Sequence, residues 1–270
     1  QHILSFYEGV PCSVFRGRTP GQAHVFYDDD MALNFDSSFD DLEEILREIE
    51  AAVEADPQPL IYSGSIPTRK NLPGFEHQNG LTLSARKMMC SLWVGTKSRI
   101  PIHSDYLDNF ACVTAGRRHV TLFPPEQFDN LYIGPLHYTP ATRPVSLVDM
   151  AAPDWGRFEK FETALAAAQQ VTLEPGDMLH IPSMWWHHIE GLCRFNILVN
   201  FWWNEQNPFL GSPEQAMWHA IWAIRDLSQD RRAFWHKMFD HYVFDARDED
   251  FAHIADHRQG ILKPLDSRAA

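Results

Sequence analysis

Histidine and aspartate alternate in Ile100-Pro101-Ile102-His103-Ser104-Asp105, a run of strand character, so both side chains leave the same face of a sheet. The run therefore sets an imidazole beside a carboxylate. On its own an H-x-D motif means little in a chain with 14 histidines. Its weight comes from the ordered segments downstream: the turn Glu174-Pro175-Gly176-Asp177, the β run Met178-Leu179-His180-Ile181-Pro182, then Trp185-Trp186-His187, then a second β run from Asn196 to Trp203. His103, Asp105 and His187 together make two imidazoles and one carboxylate, the facial set that holds Fe(II) and leaves other positions open.

With 270 residues, 44% of them hydrophobic, the chain can build one large core, and a β-barrel of this size need not be divided. The balance of 23 basic to 36 acidic residues gives a net charge of −13, and no Lys/Arg-rich run stands out. Nucleic acid is therefore not expected as a partner, because binding phosphates requires clustered positive charge. Cys12, Cys90, Cys112 and Cys193 contain no C-x-x-C pair and read as reduced thiols of a cytoplasmic protein. No apolar run approaches 18 residues, so neither a membrane span nor secretion is expected, and whether a leader precedes Gln1 stays open.

Residues 1–36 read as short strands and loops, among them His24-Val25-Phe26-Tyr27. A helix is then predicted, capped by Ser37 or Ser38, with Leu42, Ile45, Leu46, Ile49 and Val53 on one face and Asp40, Asp41, Glu43 and Glu44 solvated. Pro57-Gln58-Pro59 ends it, Leu60-Ile61-Tyr62 forms a short strand, and a polar loop comes next, with residues 74–84 placed to cover the site. Lys87 to Gly95 reads as a buried strand, and Phe110–Thr114 with His119–Phe123 as a hairpin turning at Gly116. Residues 129–156 are a long insert between two central strands, and residues 157–170 include a short helix with Phe158, Phe161 and Leu165 inward. Ser212-Pro213-Glu214-Gln215 caps an apolar helix, a second helix starts near Asp230, and a loose tail runs from Asp256. This divides the chain at 1–207, a catalytic domain, and 208–270, a helical extension whose aromatic surface points to a packing partner or a homodimer.

Four ordered motifs carry a family resemblance: H-S-D-Y-L-D-N-F from 103, G-R-R-H-V-T-L-F-P-P-E-Q-F from 116, P-G-D-M-L-H-I-P-S-M-W-W-H-H-I-E from 175 and V-N-F-W-W from 199. The chain resembles the JmjC/cupin-type 2-oxoglutarate dioxygenases, most closely their asparaginyl hydroxylases. The resemblance implies a mainly β fold, a double-stranded β-helix (jelly roll) with flanking helices and a C-terminal helical pair. It also implies Fe(II) held by His103, Asp105 and His187, 2-oxoglutarate as cosubstrate, and O2. Arg118 stands where the family carries a lysine for the far carboxylate of 2-oxoglutarate, and Ile100 where those hydroxylases have a threonine. Tyr62, Asn109, Asn200 and Trp202 fall at cosubstrate positions, whereas His180, His188, Trp93, Trp185, Trp186 and Trp203 read as structural. The implied substrate is a protein or peptide side chain, or a small molecule. The rival readings are a cupin-like metal-binding or regulatory protein without 2-oxoglutarate turnover, and a cupin enzyme using Zn or Mn.

Overall fold

The computed structural model describes residues 1–81, 88–140, 142–204 and 210–263. Two compact units divide the chain, Gln1–Asn204 and Glu205–Ala270. The boundary expected after residue 207 lies outside the described residues, as do Lys87 and residues 82–84 of the expected covering loop.

The first unit is a jelly roll of two antiparallel sheets. The larger contains β1 (Cys12–Gly17), β2 (Phe35–Asp40), β3 (Ile61–Pro67), β4 (Met89–Gly95), β6 (Asp108–Ala115), β9 (Met178–Ile181) and β11 (Asn196–Trp203), in the order β2-β1-β3-β4-β11-β6-β9. The smaller contains β5 (Ser98–Ser104), β7 (Arg118–Phe123), β8 (Gln169–Leu173) and β10 (Trp186–Gly191), in the order β5-β10-β7-β8. Strand alternation sorts side chains between two environments. On β11, Val199 and Phe201 join Cys90, Leu92 and Val94 on the outer face, while Leu198 packs between the sheets with Ala111, Val113, Val120 and Leu122.

The outer face of the large sheet is covered by α1 (Leu42–Ala51), which buries Leu42, Ile45 and Ile49 completely. Each such side chain contributes about 1.5–3 kcal/mol. The cap of α1 is Asp41, whose side chain accepts from the Glu43 N–H, and not Ser37 or Ser38. Residues 35–40 are drawn into a full ladder with β1, where Ser37 pairs with Phe15 and Ser38 with Val14. Asp40 is not part of a solvated face either, since Arg16 ties it to Glu48 at 2.7 and 2.6 Å.

Other expectations also shift. His24–Tyr27 makes only isolated bridges, to Arg99 and Leu33. The strand starting at Ile61 runs on to Pro67, and the expected loop after it folds into α2 (Thr68–Asn71) and α3 (Phe75–Asn79). β6 and β7 are not a hairpin: β6 pairs with β9 and β11, β7 with β8 and β10, so the chain changes sheet at Gly116. Gly116 has φ +72°, and a Cβ there would lie 2.5 Å from the Phe195 carbonyl oxygen, so a side chain is excluded twice over.

The insert joins β7 to β8, and β8 is the edge of its sheet and not a central strand. Within it, Phe158 and Phe161 of the segment around α4 (Phe161–Ala166) bury against Ile102, Phe123 and Trp186, with Leu165 packed alongside. The insert also runs along β5, where Ser146 N–H donates to the Ile102 carbonyl.

In the second unit α5 (Pro213–Ile224) begins with Ser212 accepting from Gln215 N–H and Pro213 at its first position. α6 (Gln229–Phe239) continues into a wider turn over Asp240–Phe244. Tyr242 stacks on buried Phe251, and short 3-10 turns at Asp256–Arg258 and Gly260–Leu262 occupy the described part of the expected loose tail, whose residues 264–270 lie outside the described residues. Trp222 is 90% exposed. No described helix is long and apolar enough to cross a membrane.

Candidate active site

His103 and His187 sit directly opposite each other on the paired strands β5 and β10. Their ring centroids are 4.2 Å apart, and Asp105 Oδ2 lies 3.8 Å from His187 Nε2. One ligand atom from each of His103, Asp105 and His187 falls within 4.8 Å of the others. Each imidazole is held by a backbone carbonyl two residues upstream: His103 Nδ1 at 2.8 Å from Pro101 O, His187 Nδ1 at 3.1 Å from Trp185 O. Donation through Nδ1 leaves Nε2 as the free lone pair, the arrangement metal-binding histidines use. Burial, then the neighbouring His103, pushes His187 down to about 4, so its ring is neutral at physiological pH, as a ligand must be.

A β-bulge brings a further residue to this face. Between His187 and Ile189, β10 advances two residues while β5 advances three, from His103 back to Ile100. The extra residue lets Ile100 and His103, three apart, both line the space between the sheets. Ile102 between them turns to the insert and is fully buried there.

The pocket behind the triad is lined from the small sheet by Ile100, Arg118 and Ile189 and from the large sheet by Tyr62, Trp93, Asn109, Ala111, Leu198, Asn200 and Trp202. All eight site residues expected from the sequence thus converge on one cavity. Arg118 is 2% exposed, and its Nε and Nη2 have no hydrogen-bond partner among the described residues. Burial shifts its guanidinium down and the Tyr62 phenol up to about 12. Asn109 Oδ1 and Trp202 Nε1 are buried without partners as well. Buried polar atoms are almost always paired, so three groups unsatisfied among the described residues around one cavity are available to a polar ligand or to water.

Asn200 differs: its Oδ1 already accepts from Trp93 Nε1 at 2.8 Å. Trp93, expected to be structural, therefore belongs to the pocket, where its ring also meets Trp202 edge-on. Arg143 is an addition that the sequence does not signal. The insert carries its Nε to 3.7 Å from Asp105 Oδ1, and its guanidinium lies 4.5 Å over the Tyr106 ring. No local pattern marks it, because only the path of the insert brings it there. His180 and His188 stay off the triad as expected: His180 pairs with Asp108 at 3.1 Å, and His188 points from the opposite side of β10 toward Glu190.

Residues 1–209 match the family described as cupin-like domain, and the chain belongs to that family. It is 32% identical over 159 residues to HSPB1-associated protein 1 of Rattus norvegicus, covering 58% of this chain and 31% of that protein. It is 30% identical over 125 residues to lysine-specific demethylase JMJ31 of Arabidopsis thaliana, covering 46% and 22%. It is also 29% identical over 134 residues to the human bifunctional peptidase and (3S)-lysyl hydroxylase JMJD7, covering 42% and 41%. The JmjC-type resemblance carried by the four motifs holds in these relatives. The chain spans less than a third of the length of the first two.

Proposed function

We propose that this protein is an Fe(II)- and 2-oxoglutarate-dependent dioxygenase that hydroxylates a side chain of a protein or peptide. The observation that carries the reading is the unpaired, fully buried Arg118 guanidinium in the same cavity as a two-histidine, one-carboxylate triad. A buried cation without a counter-charge is costly unless an anion completes it, and Nε with Nη2 forms the edge of the fork that matches a carboxylate.

His103, Asp105 and His187 would hold the metal, and Arg118 the far carboxylate of 2-oxoglutarate, beside the Tyr62 phenol. Asn109 and Trp202 present their unsatisfied atoms to the same space. Asn200, held by Trp93, would orient the near end with its remaining amide group. Ile100, Ala111, Ile189 and Leu198 keep water from the cavity walls. When bound, Fe(II), 2-oxoglutarate and O2 would supply the oxidant, 2-oxoglutarate losing CO2 to give succinate with one oxygen atom and the other entering a substrate C–H bond. A protein substrate is favoured over a small molecule by the relatives named as a lysyl hydroxylase and a lysine demethylase. All four cysteines are free, which suits a reducing cytoplasm. The exposed Trp222 and Phe234 of the C-terminal unit suit self-association as a homodimer.

The test is anaerobic titration of the Fe(II)-loaded protein with 2-oxoglutarate, tracked by the visible charge-transfer band of the chelate. The band is expected to grow and saturate. Bound iron with no band would instead favour a cupin-like metal-binding protein without 2-oxoglutarate turnover, with the apolar Ile100 beside Arg118 as the reason.

A further inference from the structure

Asp105 is the least supported of the three ligands. Both histidines lie on β-strands and are bonded through Nδ1, whereas Asp105 lies one residue past β5, and its carboxylate approaches His187 and Arg143 only at 3.8 and 3.7 Å. The turn it occupies passes from β5 in the small sheet to β6 in the large one, so no ladder spans it. A second passage between the sheets, from β9 to β10, runs beside it and leads into His187.

We propose that Asp108, Ser183 and His180 are positioning residues that clip these two turns together and so fix the reach of Asp105 to the metal. The bonds form a closed set. Met184 N–H donates to the Asp105 carbonyl at 2.9 Å, and Ser183 Oγ–H donates to the Tyr106 carbonyl at 3.0 Å. Asp108 Oδ1 accepts from Ser183 N–H at 3.3 Å and from His180 Nε2 at 3.1 Å. His180 is in turn oriented by stacking on Trp203, with ring planes 17° apart. Met184, whose N–H meets the Asp105 carbonyl, takes φ +66°, a left-handed conformation uncommon for a methionine. The clip rests on the triad as the metal site but on no assignment of cosubstrate.

The experiment is anaerobic binding of Co(II) to the full chain, read by its visible ligand-field spectrum and by calorimetry, alongside the thermal midpoint. Asp108→Ala is expected to weaken Co(II) by about tenfold or more, as loss of supporting bonds around ligands does, and Ser183→Ala by less. His180→Phe, which keeps the stacking ring but loses the donor, should weaken Co(II), and His180→Gln should restore most of the affinity. A purely structural role would lower the thermal midpoint and leave the Co(II) affinity and spectrum unmoved, and that result in Ser183→Ala and Asp108→Ala would overturn the clip. Wild-type protein that takes up no Co(II) would overturn the triad itself, and the clip with it.

Discussion

The two sheets that enclose the pocket contribute different chemistry. The small sheet, with the turn at its end, supplies every group that carries charge or a metal-binding lone pair: His103, Asp105, His187 and Arg118. The large sheet supplies neutral donors, acceptors and rings: Tyr62, Trp93, Asn109, Asn200 and Trp202. The difference teaches where binding and where selectivity reside. On the proposed function, ions would be held by the four-stranded sheet, which is thickened on its outer face by the insert, while the seven-stranded sheet would shape the space for a cosubstrate.

The contrast breaks most decisively at the metal. His187→Ala is expected to lower Fe(II) affinity by more than about 100-fold, beyond what outer partners contribute, with the fold retained by circular dichroism. Wild-type affinity in that variant would remove His187 from the metal-binding set. Arg118→Met comes next. It should weaken 2-oxoglutarate by about 100-fold, equivalent to about 3 kcal/mol, with Fe(II) affinity unchanged. The ligand-free protein should also become more stable, by about 1–4 kcal/mol, because an uncompensated buried cation is replaced by an apolar chain. A fall in thermal midpoint would show that Arg118 has a structural partner and is not kept for a ligand.

These two effects fall on residues that are legible in the sequence, Arg118 through the family resemblance, two residues after Gly116, and His187 through the order of the strands and turns around it. His103 and Asp105 have the spacing of two that a strand sets on one face, although Asp105 itself lies one residue past β5, and His187 comes after a Pro-Gly turn and a short strand in order. The remainder depends on departures from regularity. Strict alternation separates Ile100 from His103, and only the bulge in β5 reunites them. Ser37 and Ser38 look like helix caps until β1 captures them in a ladder. The turn at Gly116 resembles a hairpin turn although it carries the chain between sheets. Trp93 is apolar enough to pass for core, and its Nε1 bond to Asn200 appears only when β4 and β11 are paired.

A smaller effect tests the large sheet. A Cβ on Gly64 would stand 2.7 Å from the Trp93 ring, closer than any real contact. Gly64→Ala should therefore displace Trp93, loosen its bond to Asn200 and cost about 1–3 kcal/mol of stability. The 2-oxoglutarate affinity should fall several-fold, about a tenth of the Arg118 effect, with Fe(II) binding untouched. Loss of metal binding in this variant would show that the two sheets do not divide the work.

The mildest effect concerns acid. His24 is buried where the N-terminal segment meets β5 and the insert, its Nδ1 3.8 Å from Asp149 Oδ2, with Arg99, His188 and Glu190 also near. Burial outweighs Asp149 and lowers its pKa from about 6.5 to about 4. Below pH 6.5 the unfolded chain takes up a proton that the folded protein refuses, so stability is full above about 6.5 and falls as the pH drops toward 4. In the metal-free protein His187, also lowered to about 4, adds to the same slope. His24→Phe, which keeps a ring to stack on Phe26, should leave the thermal midpoint at pH 7.5 little changed. It should also flatten the decline between pH 6.5 and 4. Saturating Zn(II) ought to remove the His187 share and not the His24 share. A variant whose acid profile superimposes on the wild type would show that His24 carries none of the decline between pH 6.5 and 4, and that its burial beside Asp149 does not set the acid sensitivity of the fold.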